Sequence, residues 1–228
     1  MGKNIIELKN VEKFYKIGKE QLHVLKDINI DIKQGEFVII MGKSGSGKTT
    51  LLNILGFLDK FDKGQFLFYG DDVTSYKENK RAEFRNLNIG FVFQQFNLIE
   101  NLSIYKNVEI PMIYNKKYSK KEKERVIKEN LEMVGLLDKI DRTPTELSGG
   151  QQQRVAIARA LVNNPDIIFA DEPTGALDTD TGIDIMNLLS ELNSKGKTII
   201  MVTHDSDFAK YASKLIKLKD GVIIEGDV

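Results

Sequence analysis

The chain has 228 residues, and its 33 lysines and arginines are balanced by 33 aspartates and glutamates. This length suffices for one domain with a subdomain, and the zero net charge gives no indication of a nucleic-acid partner. The absence of cysteine excludes a disulfide framework and a thiolate metal site. Since no apolar leader and no run of about 18 apolar residues is present, we expect a chain that neither crosses a membrane nor is exported.

The first part of the chain is predicted to alternate between strands and turns. Strands are expected at residues 5–8 and 25–32, the second with isoleucines alternating with polar residues. The segment 13–16 between them contains Tyr15, whose simplest interpretation is hydrophobic packing. A turn at residues 33–36 then leads into an apolar run at 37–41, which is typical of a buried strand.

The loop after this apolar run has the pattern G-x-x-x-x-G-K-[ST], and a helical apolar pattern follows it. Glycines let successive backbone N–H groups curl around a phosphate chain, and the helix adds its positive N-terminal end. Lys48 is predicted to reach the β- and γ-phosphates and the Thr49 hydroxyl to ligate Mg²⁺. The predicted nucleotide-binding residues of this phosphate loop (residues 42–50) are Gly42, Lys43, Ser44, Gly45, Ser46, Gly47, Lys48, Thr49 and Thr50.

The middle of the chain is predicted to change from strands to helices. Strands at residues 64–70 and 89–93 precede a helical segment from about 95 to 162. Within it, Ser119-x-x-Glu122 forms a capping box that opens one helix. Strand and helix then alternate again, with strands at 167–171 and 198–202, a helix about 183–192 and a final hairpin about Asp220-Gly221.

The strand at 167–171 ends in two carboxylates. A buried strand delivers Asp171 to its C-terminal end, where ligands bind in α/β sheets. In a chain with a phosphate loop, Asp171 fits as an outer partner of Mg²⁺. Glu172 is then placed to orient or deprotonate the water that attacks the γ-phosphate. The alternative is an ordinary loop start, because apolar strands commonly end in acids.

A second candidate anion site precedes the helix at about 155–162. Ser148 and Gln151 have the form of a capping box, and Gly149 and Gly150 expose the first N–H groups of the helix. The alternative interpretation is a well-capped helix without a ligand.

The segment Leu147-Ser148-Gly149-Gly150-Gln151, taken with the phosphate loop and the Asp171-Glu172 strand end, resembles the nucleotide-binding domain of ABC transporters. The resemblance covers essentially the whole chain, and no motif residue departs from the family pattern. It implies one α/β domain, 1–228, with a P-loop fold of ABC type. In this fold a mixed-sheet core and an antiparallel β subdomain (1–94 and 163–228) carry an inserted α-helical subdomain (about 95–162).

The resemblance also implies roles for residues outside these motifs. Tyr15 matches the aromatic residue that stacks on adenine, with Phe14 as the alternative. Gln94 matches the glutamine that senses Mg²⁺ and the membrane partner, and Asp178 lies in the D-loop (residues 175–178) at a dimer interface. His204 matches the switch histidine at the γ-phosphate. The implied catalytic residues are Glu172, His204 and Lys48, and the implied Mg²⁺ partners are Thr49, Gln94 and, through water, Asp171.

In this family two subunits enclose two ATP molecules head to tail. The resemblance therefore implies a homodimer in which Ser148, Gly149, Gly150 and Gln151 contact the ATP of the partner subunit. ATP is expected to close the dimer, and hydrolysis to reopen it. A separate permease is expected to dock near Phe96, Asn97 and Leu98, which places the chain at the cytoplasmic face of the membrane. For Phe96 and Leu98 the alternative is core packing.

Residues 89–98 and 171–178 resemble one branch of the family. This branch contains macrolide and antimicrobial-peptide exporters (MacB-like), lipoprotein-release ATPases and cell-division ATPases. The Gly175-Ala176-Leu177-Asp178 form favours the exporters. Alternatives of another class are a soluble ABC ATPase of DNA repair or translation, and a nucleotide-gated scaffold through which no substrate passes.

Overall fold

The computed structural model describes residues 3–115 and 117–224. The strands are β1 (Asn4–Ile17), β2 (Glu20–Lys33), β3 (Phe37–Met41), β4 (Lys63–Phe68), β5 (Asp71–Asp72), β6 (Ile89–Phe93), β7 (Ile167–Asp171), β8 (Thr198–Val202), β9 (Lys214–Lys219) and β10 (Val222–Ile224). The α-helices are α1 (Lys48–Leu55), α2 (Glu78–Asn88), α3 (Ile104–Glu109), α4 (Lys120–Met133), α5 (Gly149–Leu161) and α6 (Thr179–Ser194). Short 3-10 helices lie at Ile110–Met112, Leu137–Lys139, Pro144–Glu146 and Ser206–Tyr211.

The chain divides into two compact units. The first unit combines Met1–Ala82 with Asn193–Val228, and the second unit is Glu83–Leu192. These bounds differ from the subdomain limits expected from the sequence, and the inserted subdomain at about 95–162 stays a prediction. Between β6 and β7 the described residues form only helices, turns and loops.

An antiparallel sheet of the first unit has the strand order β2-β1-β4-β5. The predicted strands at 5–8 and 25–32 are too short, because β1 and β2 pair along 14 residues each, from Asn4 with Lys33 to Ile17 with Glu20. Residues 13–16 therefore lie within β1, and their placement between two strands was wrong. Register shifts at residues 8–14 break the alternation of apolar and polar side chains, which hides a long strand from pattern reading.

The second sheet of the first unit contains the strand that precedes the phosphate loop. β3 pairs in parallel with β8 and with β9, and β10 returns antiparallel to β9. The predicted turn at Asp220-Gly221 is confirmed, with φ values of 49° and 81° that suit a tight hairpin. Four residues of α1 are buried, Leu51, Leu52, Ile54 and Leu55. A mixed sheet covered by a helix is thus present, as the sequence predicts.

The second unit combines the parallel pair β6 and β7 with helices α3, α4 and α5, which pack on one another. The predicted capping box of α4 is confirmed. The Glu122 N–H donates to Ser119 Oγ at 3.3 Å, and the Ser119 N–H donates to Glu122 Oε2 at 2.8 Å. On the apolar face of this helix, Ile127 and Leu131 are fully buried.

Helix α2 has no counterpart in the sequence prediction. Its buried residue is Arg81, whose Nη2 donates to the carbonyl oxygens of Phe57, at 3.1 Å, and of Asp59. A helix that is attached through a buried guanidinium shows no apolar stripe, so hydrophobic periodicity does not reveal it. Among the described residues, no helix combines the length and apolar character that crossing a bilayer requires.

Candidate functional site

The phosphate loop follows buried strand β3 and includes the first three residues of helix α1, and both elements belong to the first unit. Gly47 has a left-handed φ of 102° at the N-terminus of α1, where neither a capping side chain nor an acidic residue in the first turn is present. Helix α1 therefore supplies neither a capping side chain nor a first-turn carboxylate of its own to these N–H groups. This is the arrangement that binds phosphate at helix N-termini.

Glycine is required at the start of the loop by a close backbone approach. A Cβ atom at Gly42 would lie 2.2 Å from the backbone oxygen of Leu218 in β9 and 2.6 Å from Ser46 Oγ. A backbone oxygen within a sheet cannot move aside as a flexible side chain does. Any side chain at this position would therefore displace the loop.

Two polar groups of the loop are suited to a phosphate ligand. Ser46 is 5% exposed, and its Oγ atom is buried without a hydrogen-bond partner among the described residues. Lys48 Nζ donates to the carbonyl oxygens of Gly42 at 2.7 Å and Lys43 at 3.1 Å. An unpaired buried hydroxyl costs about 1–3 kcal/mol, and a phosphate oxygen would satisfy it. The other predicted loop residues are exposed (Lys43, Ser44, Gly45 and Thr49) or half-buried (Gly42, Gly47, Lys48 and Thr50).

The first unit also brings His204 to the phosphate-loop edge of the sheet. Ile40 of β3 pairs with Val202 of β8 in parallel, and Gly42 and His204 each follow two residues later. The Thr203 N–H donates to the Ile40 oxygen at 3.3 Å, which ties the two strand ends together. The exposed His204 and the phosphate loop therefore both lie at the C-terminal ends of the paired strands β8 and β3.

Tyr15 lies on β1 of the first unit and is held in place by polar contacts. Its hydroxyl donates to Asp59 Oδ2, and Lys13 Nζ lies 4.6 Å from its ring centroid. Lys13 Nζ also donates to Asp59 Oδ1 at 2.9 Å. Partial burial and the hydrogen bond to Asp59 raise the pKa of Tyr15. A side-chain hydrogen bond with Thr50 of α1 lowers it, but by less. Tyr15 thus presents a fixed, partly exposed ring beside the phosphate loop.

Phe14, the alternative aromatic residue, has a different environment. Its ring stacks on His23 with a centroid distance of 4.1 Å and an interplanar angle of 18°. One face of Phe14 is therefore already covered by an imidazole ring. This contact favours Tyr15 as the residue available to a nucleotide base.

In the second unit, β6 and β7 deliver Gln94 and the acidic pair to one edge. Phe93 pairs with Asp171 in parallel, so that Gln94 and Glu172 are the next residues of adjacent strands. A Cβ atom at Gly175 would lie 2.7 Å from Gln94 Nε2, so the Gln94 side chain packs directly over that glycine. Glu172 has a left-handed φ of 46°, a backbone strain often found at functional sites.

The Ser148–Gln151 segment contacts the D-loop within the second unit. The predicted capping box of α5 is confirmed, since the Gln151 N–H donates to Ser148 Oγ at 3.4 Å and the Ser148 N–H donates to Gln151 Oε1 at 3.1 Å. A Cβ atom at Gly149 would lie 3.3 Å from Leu177 Cδ2. Helix α5 therefore begins against the D-loop.

Asp178 of the D-loop caps helix α6. Its carboxylate accepts the Thr181 N–H at 3.0 Å and the Thr181 hydroxyl at 2.7 Å. These bonds lower the pKa of Asp178 below its ordinary value. The cap also explains why α6 begins at Thr179, four residues before the predicted start at 183.

We expect Gly150→Ala to destabilise the second unit. A Cβ atom at Gly150 would lie 2.3 Å from Thr181 Cγ2, and Thr181 is held by its bonds to Asp178. Overpacking of this kind lowers the free energy of unfolding by about 1–3 kcal/mol. Denaturant unfolding monitored by circular dichroism measures the loss.

A second substitution makes this prediction specific. Thr181→Ser removes the clashing methyl group and keeps the hydroxyl that Asp178 binds, so Gly150→Ala combined with Thr181→Ser should recover most of the lost stability. Thr181→Ser alone is the control. If the double variant is as unstable as Gly150→Ala, the contact with Thr181 is not the cause.

Sequence reasoning missed one buried polar residue of α5. Gln153 is fully buried, and its Nε2 donates to the carbonyl oxygens of Phe93 at 3.3 Å and Pro173 at 2.6 Å. It shares one helix face with Ile157 and Ala160, at positions i, i+4 and i+7. In the sequence, the signal that could have revealed this residue was a glutamine within an otherwise apolar helix face.

The described residues contain no cluster of three His, Cys, Asp or Glu side chains that could hold a metal ion. Mg²⁺ in nucleotide sites typically takes only one or two protein ligands, and phosphate and water supply the rest. The Thr49 hydroxyl and the Asp171 carboxylate are the hard oxygen donors that this ion prefers. Each unit, taken by itself, therefore offers an oxygen donor of the kind that Mg²⁺ takes beside a nucleotide.

A glycine-rich loop between a buried strand and the uncapped N-terminus of a helix, with Lys48 at its end, defines a P-loop nucleotide-binding protein. The sequence model of the ABC transporter family matches residues 25–175. The uncharacterized ABC transporter ATP-binding protein MJ1508 of Methanocaldococcus jannaschii is 55% identical, over 97% of this chain and 98% of its own. The chain therefore belongs to the ABC transporter family.

Two further comparisons bear on the fold and the branch. The dimeric post-hydrolysis structure of the ATP-binding cassette MJ0796, bound to ADP and Pi, matches with a TM-score of 0.87 and 49% identity over 96% of this chain and 97% of that one. The macrolide export ATP-binding/permease protein MacB of a Shewanella species is 46% identical over all of this chain, which spans 35% of that protein. The predicted fold class, the family and the ATPase activity are confirmed.

Proposed function

We propose that this chain is the ATP-hydrolysing subunit of a transporter, working at the cytoplasmic face of the membrane on a separate permease. The similarity to the ATP-binding part of MacB supports this, because the name of that protein joins an ATP-binding part to a permease. By the same similarity, the transported substrate is a macrolide. The resemblance of residues 89–98 and 171–178 to the wider branch adds an antimicrobial peptide as a substrate, or mechanical work on the permease. Lipoprotein release and cell division are the alternatives within this branch.

The phosphate loop carries the ATP-binding part of the proposal. The buried, unpaired Ser46 hydroxyl and the uncapped start of α1 are ready to receive phosphate oxygens. Lys48 exchanges its loop carbonyl contacts for the β- and γ-phosphates, and Tyr15 stacks on adenine. The observation that carries the proposal is this loop, closed against β9 at Gly42.

The hydrolytic step is assigned to residues at the strand ends. Thr49, Gln94 and, through water, Asp171 would hold Mg²⁺, which when bound neutralises charge on the phosphate oxygens. Glu172 accepts a proton from the attacking water. His204, at the phosphate-loop edge, donates a hydrogen bond to the γ-phosphate. The chemistry is electrostatic positioning without a covalent intermediate.

The proposal includes a homodimer closed by ATP. Ser148, Gly149, Gly150 and Gln151 contact the nucleotide bound by the partner subunit, with Asp178 at the interface. The dimeric state of the MJ0796 cassette supports this arrangement. Because these contacts need the γ-phosphate, ATP stabilises the closed dimer and hydrolysis removes that stabilisation.

Affinity capture of the tagged chain from detergent-solubilised membranes of its source tests the transporter assignment. We expect to recover a permease with few membrane spans and a large outer domain, identified by mass spectrometry. Leu98→Asp, in the proposed docking segment, should lose the permease. Ile17→Asp, at a 62% exposed position of the β1–β2 hairpin, is the matched control and should retain it.

The outcomes separate the candidate functions. Recovery of only soluble proteins, ribosomes or DNA would contradict a transporter and leave the ATPase activity intact. If a permease is recovered, comparison of ATP turnover with and without candidate substrates separates a pump from a nucleotide-gated scaffold, because only a pump responds to its cargo.

A further inference from the structure

Gln153 joins the ends of two strands in the second unit. The amide nitrogen of this fully buried side chain uses both hydrogens, one on the carbonyl of Phe93 and one on the carbonyl of Pro173. Phe93 directly precedes Gln94, and Pro173 directly follows Glu172. One side chain on α5 therefore fixes the peptide group between Phe93 and Gln94 and the one after Pro173, the neighbour of Glu172.

Arg159 makes a second connection from the same helix. Its Nη2 donates to the Phe96 oxygen at 2.7 Å, and its Nη1 donates to the Asn97 oxygen. Burial lowers the pKa of Arg159, but a guanidinium starts from so high a value that it stays charged. Its planar fork suits two neighbouring carbonyl groups, a geometry that a lysine does not reproduce.

The segment that Arg159 holds is strained. Phe96 and Asn97 have φ values of 53° and 51°, so two consecutive residues other than glycine adopt the left-handed conformation. Such a conformation persists only where the surroundings impose it. We define the Gln94 segment as residues 94–98. Gln153 anchors the residue before this segment, and Arg159 anchors its third and fourth residues.

Gln153 also retains an unused polar atom. Its Oε1 is buried and has no hydrogen-bond partner among the described residues. A side chain chosen only for packing at this position would be apolar, like its neighbours Ile157 and Ala160 on the same helix face. The burial of a half-satisfied amide indicates selection for the two carbonyl contacts.

We propose that Gln153 and Arg159 are positioning residues that attach the Gln94 segment and the carbonyl of Pro173, next to Glu172, to helix α5, so that these parts shift as one body. Helix α5 begins with the residues assigned to the partner subunit's nucleotide. A displacement at the Gln94 segment is therefore transmitted to Ser148–Gly150 without passing through a flexible loop. The inference rests on the proposed roles of Gln94 and Glu172 and adds the residues that connect them.

The kinetic test uses Gln153→Met, which keeps the length of the side chain and removes both donors. We expect kcat for ATP hydrolysis to fall about tenfold or more, since a small misplacement of reacting groups has effects of this size. The Mg²⁺ concentration for half-maximal rate should rise, because Gln94 loses its position. In a Gln94→Ala background the same substitution should change the Mg²⁺ dependence little, since residues that act together are non-additive.

Asn163→Leu is the matched control for loss of stability. Asn163 also lies in the second unit and donates its amide to two backbone oxygens, those of Asn86 at 3.0 Å and Pro111 at 3.1 Å. Asn163 also bonds to the side chains of Asn86 and Asn115, so its substitution removes four hydrogen bonds where Gln153→Met removes two. It does so at a place that holds neither Gln94 nor Glu172, and it is therefore the more demanding control for stability. We expect kcat to stay within about twofold of the parent chain after correction for the unfolded fraction.

Hydrogen exchange provides a readout that does not depend on turnover. Gln153→Met and Arg159→Lys should each accelerate amide exchange in the Gln94 segment, and Gln153→Met also at residues 174–177, whereas Asn163→Leu should leave both regions unchanged. Unchanged exchange in the two variants, or equal kinetic losses in Gln153→Met and Asn163→Leu, would overturn the inference. If the parent chain does not hydrolyse ATP, the proposed function fails. The exchange pattern still shows whether Gln153 and Arg159 attach the Gln94 segment to helix α5.

Discussion

Glu172→Gln is expected to bind ATP and to lose turnover by a factor of about 10²–10⁴, the usual contribution of a positioned general base. The amide has the shape of the carboxylate but cannot accept a proton from the attacking water. Because glutamine preserves the length of the side chain, the left-handed backbone at this position, with its φ of 46°, should be kept. Stability should change by no more than about 0.5 kcal/mol.

The consequence for assembly is as informative as the rate. If hydrolysis reopens the dimer, the variant should accumulate as a dimer in ATP and Mg²⁺ and return to a monomer when nucleotide is removed. Steady-state phosphate release and multi-angle light scattering measure the two effects. Glu132→Gln, at an exposed position of α4, is the control for the charge change.

Two results would contradict this mechanism in different ways. If Glu172→Gln hydrolyses ATP at the parent rate, Glu172 is not the general base. If Glu172→Gln loses turnover but stays monomeric with ATP and Mg²⁺, the role of Glu172 as general base is supported. In that case ATP does not close the dimer.

Lys48→Ala is expected to lose ATP binding. In the structure the ammonium group bonds to the oxygens of Gly42 and Lys43, so it already lies inside the loop that should receive the phosphates. Removing one partner of a buried, hydrogen-bonded charge pair costs about 2–5 kcal/mol. Since each 1.4 kcal/mol or so is a factor of ten, the dissociation constant should rise at least about 30-fold.

Titration with a fluorescent ATP analogue measures this loss, and thermal unfolding shows whether the loop survives. The two loop bonds are partly exposed to solvent, so we expect a stability loss of only about 1 kcal/mol. Lys77→Ala removes the same charge from an exposed position of the first unit and should bind ATP as the parent does. Parent-like affinity in Lys48→Ala would refute the assigned contact to the phosphates.

Patterns that span a few residues were read correctly from the sequence. The phosphate loop, the capping boxes at Ser119 and Ser148 and the turn at Asp220-Gly221 all lie where predicted. Each of them depends on local backbone hydrogen bonds and on residues with special φ values. These requirements involve residues that are close together in the sequence, so a short pattern is enough to predict them.

The length of the β1–β2 hairpin could not be predicted, because it depends on pairing across the turn. Left-handed residues at Asn10 and Asp27 interrupt the alternation, and side chains that bond across the strands restore the pairing. Helix α2 was missed because the buried Arg81, and not an apolar stripe, attaches it. In both cases the stabilising partner is distant in sequence.

By itself the sequence determined the phosphate loop, because glycine and lysine at fixed spacing permit few alternatives. The class of the fold, the family and the other chemical groups of the site came from the resemblance that residues 147–151, 171 and 172 carry. The roles given to Gln94, Glu172 and His204 stay predictions until the variants are measured. Only the tertiary structure decided which strand ends are neighbours, so that His204 emerges beside Gly42 and Gln94 beside Glu172. It also decided that Gln153 bonds at the C-terminal ends of both β6 and β7. The hydrogen-bond partners of a buried side chain are set by packing between distant segments and not by the residues beside it in the sequence.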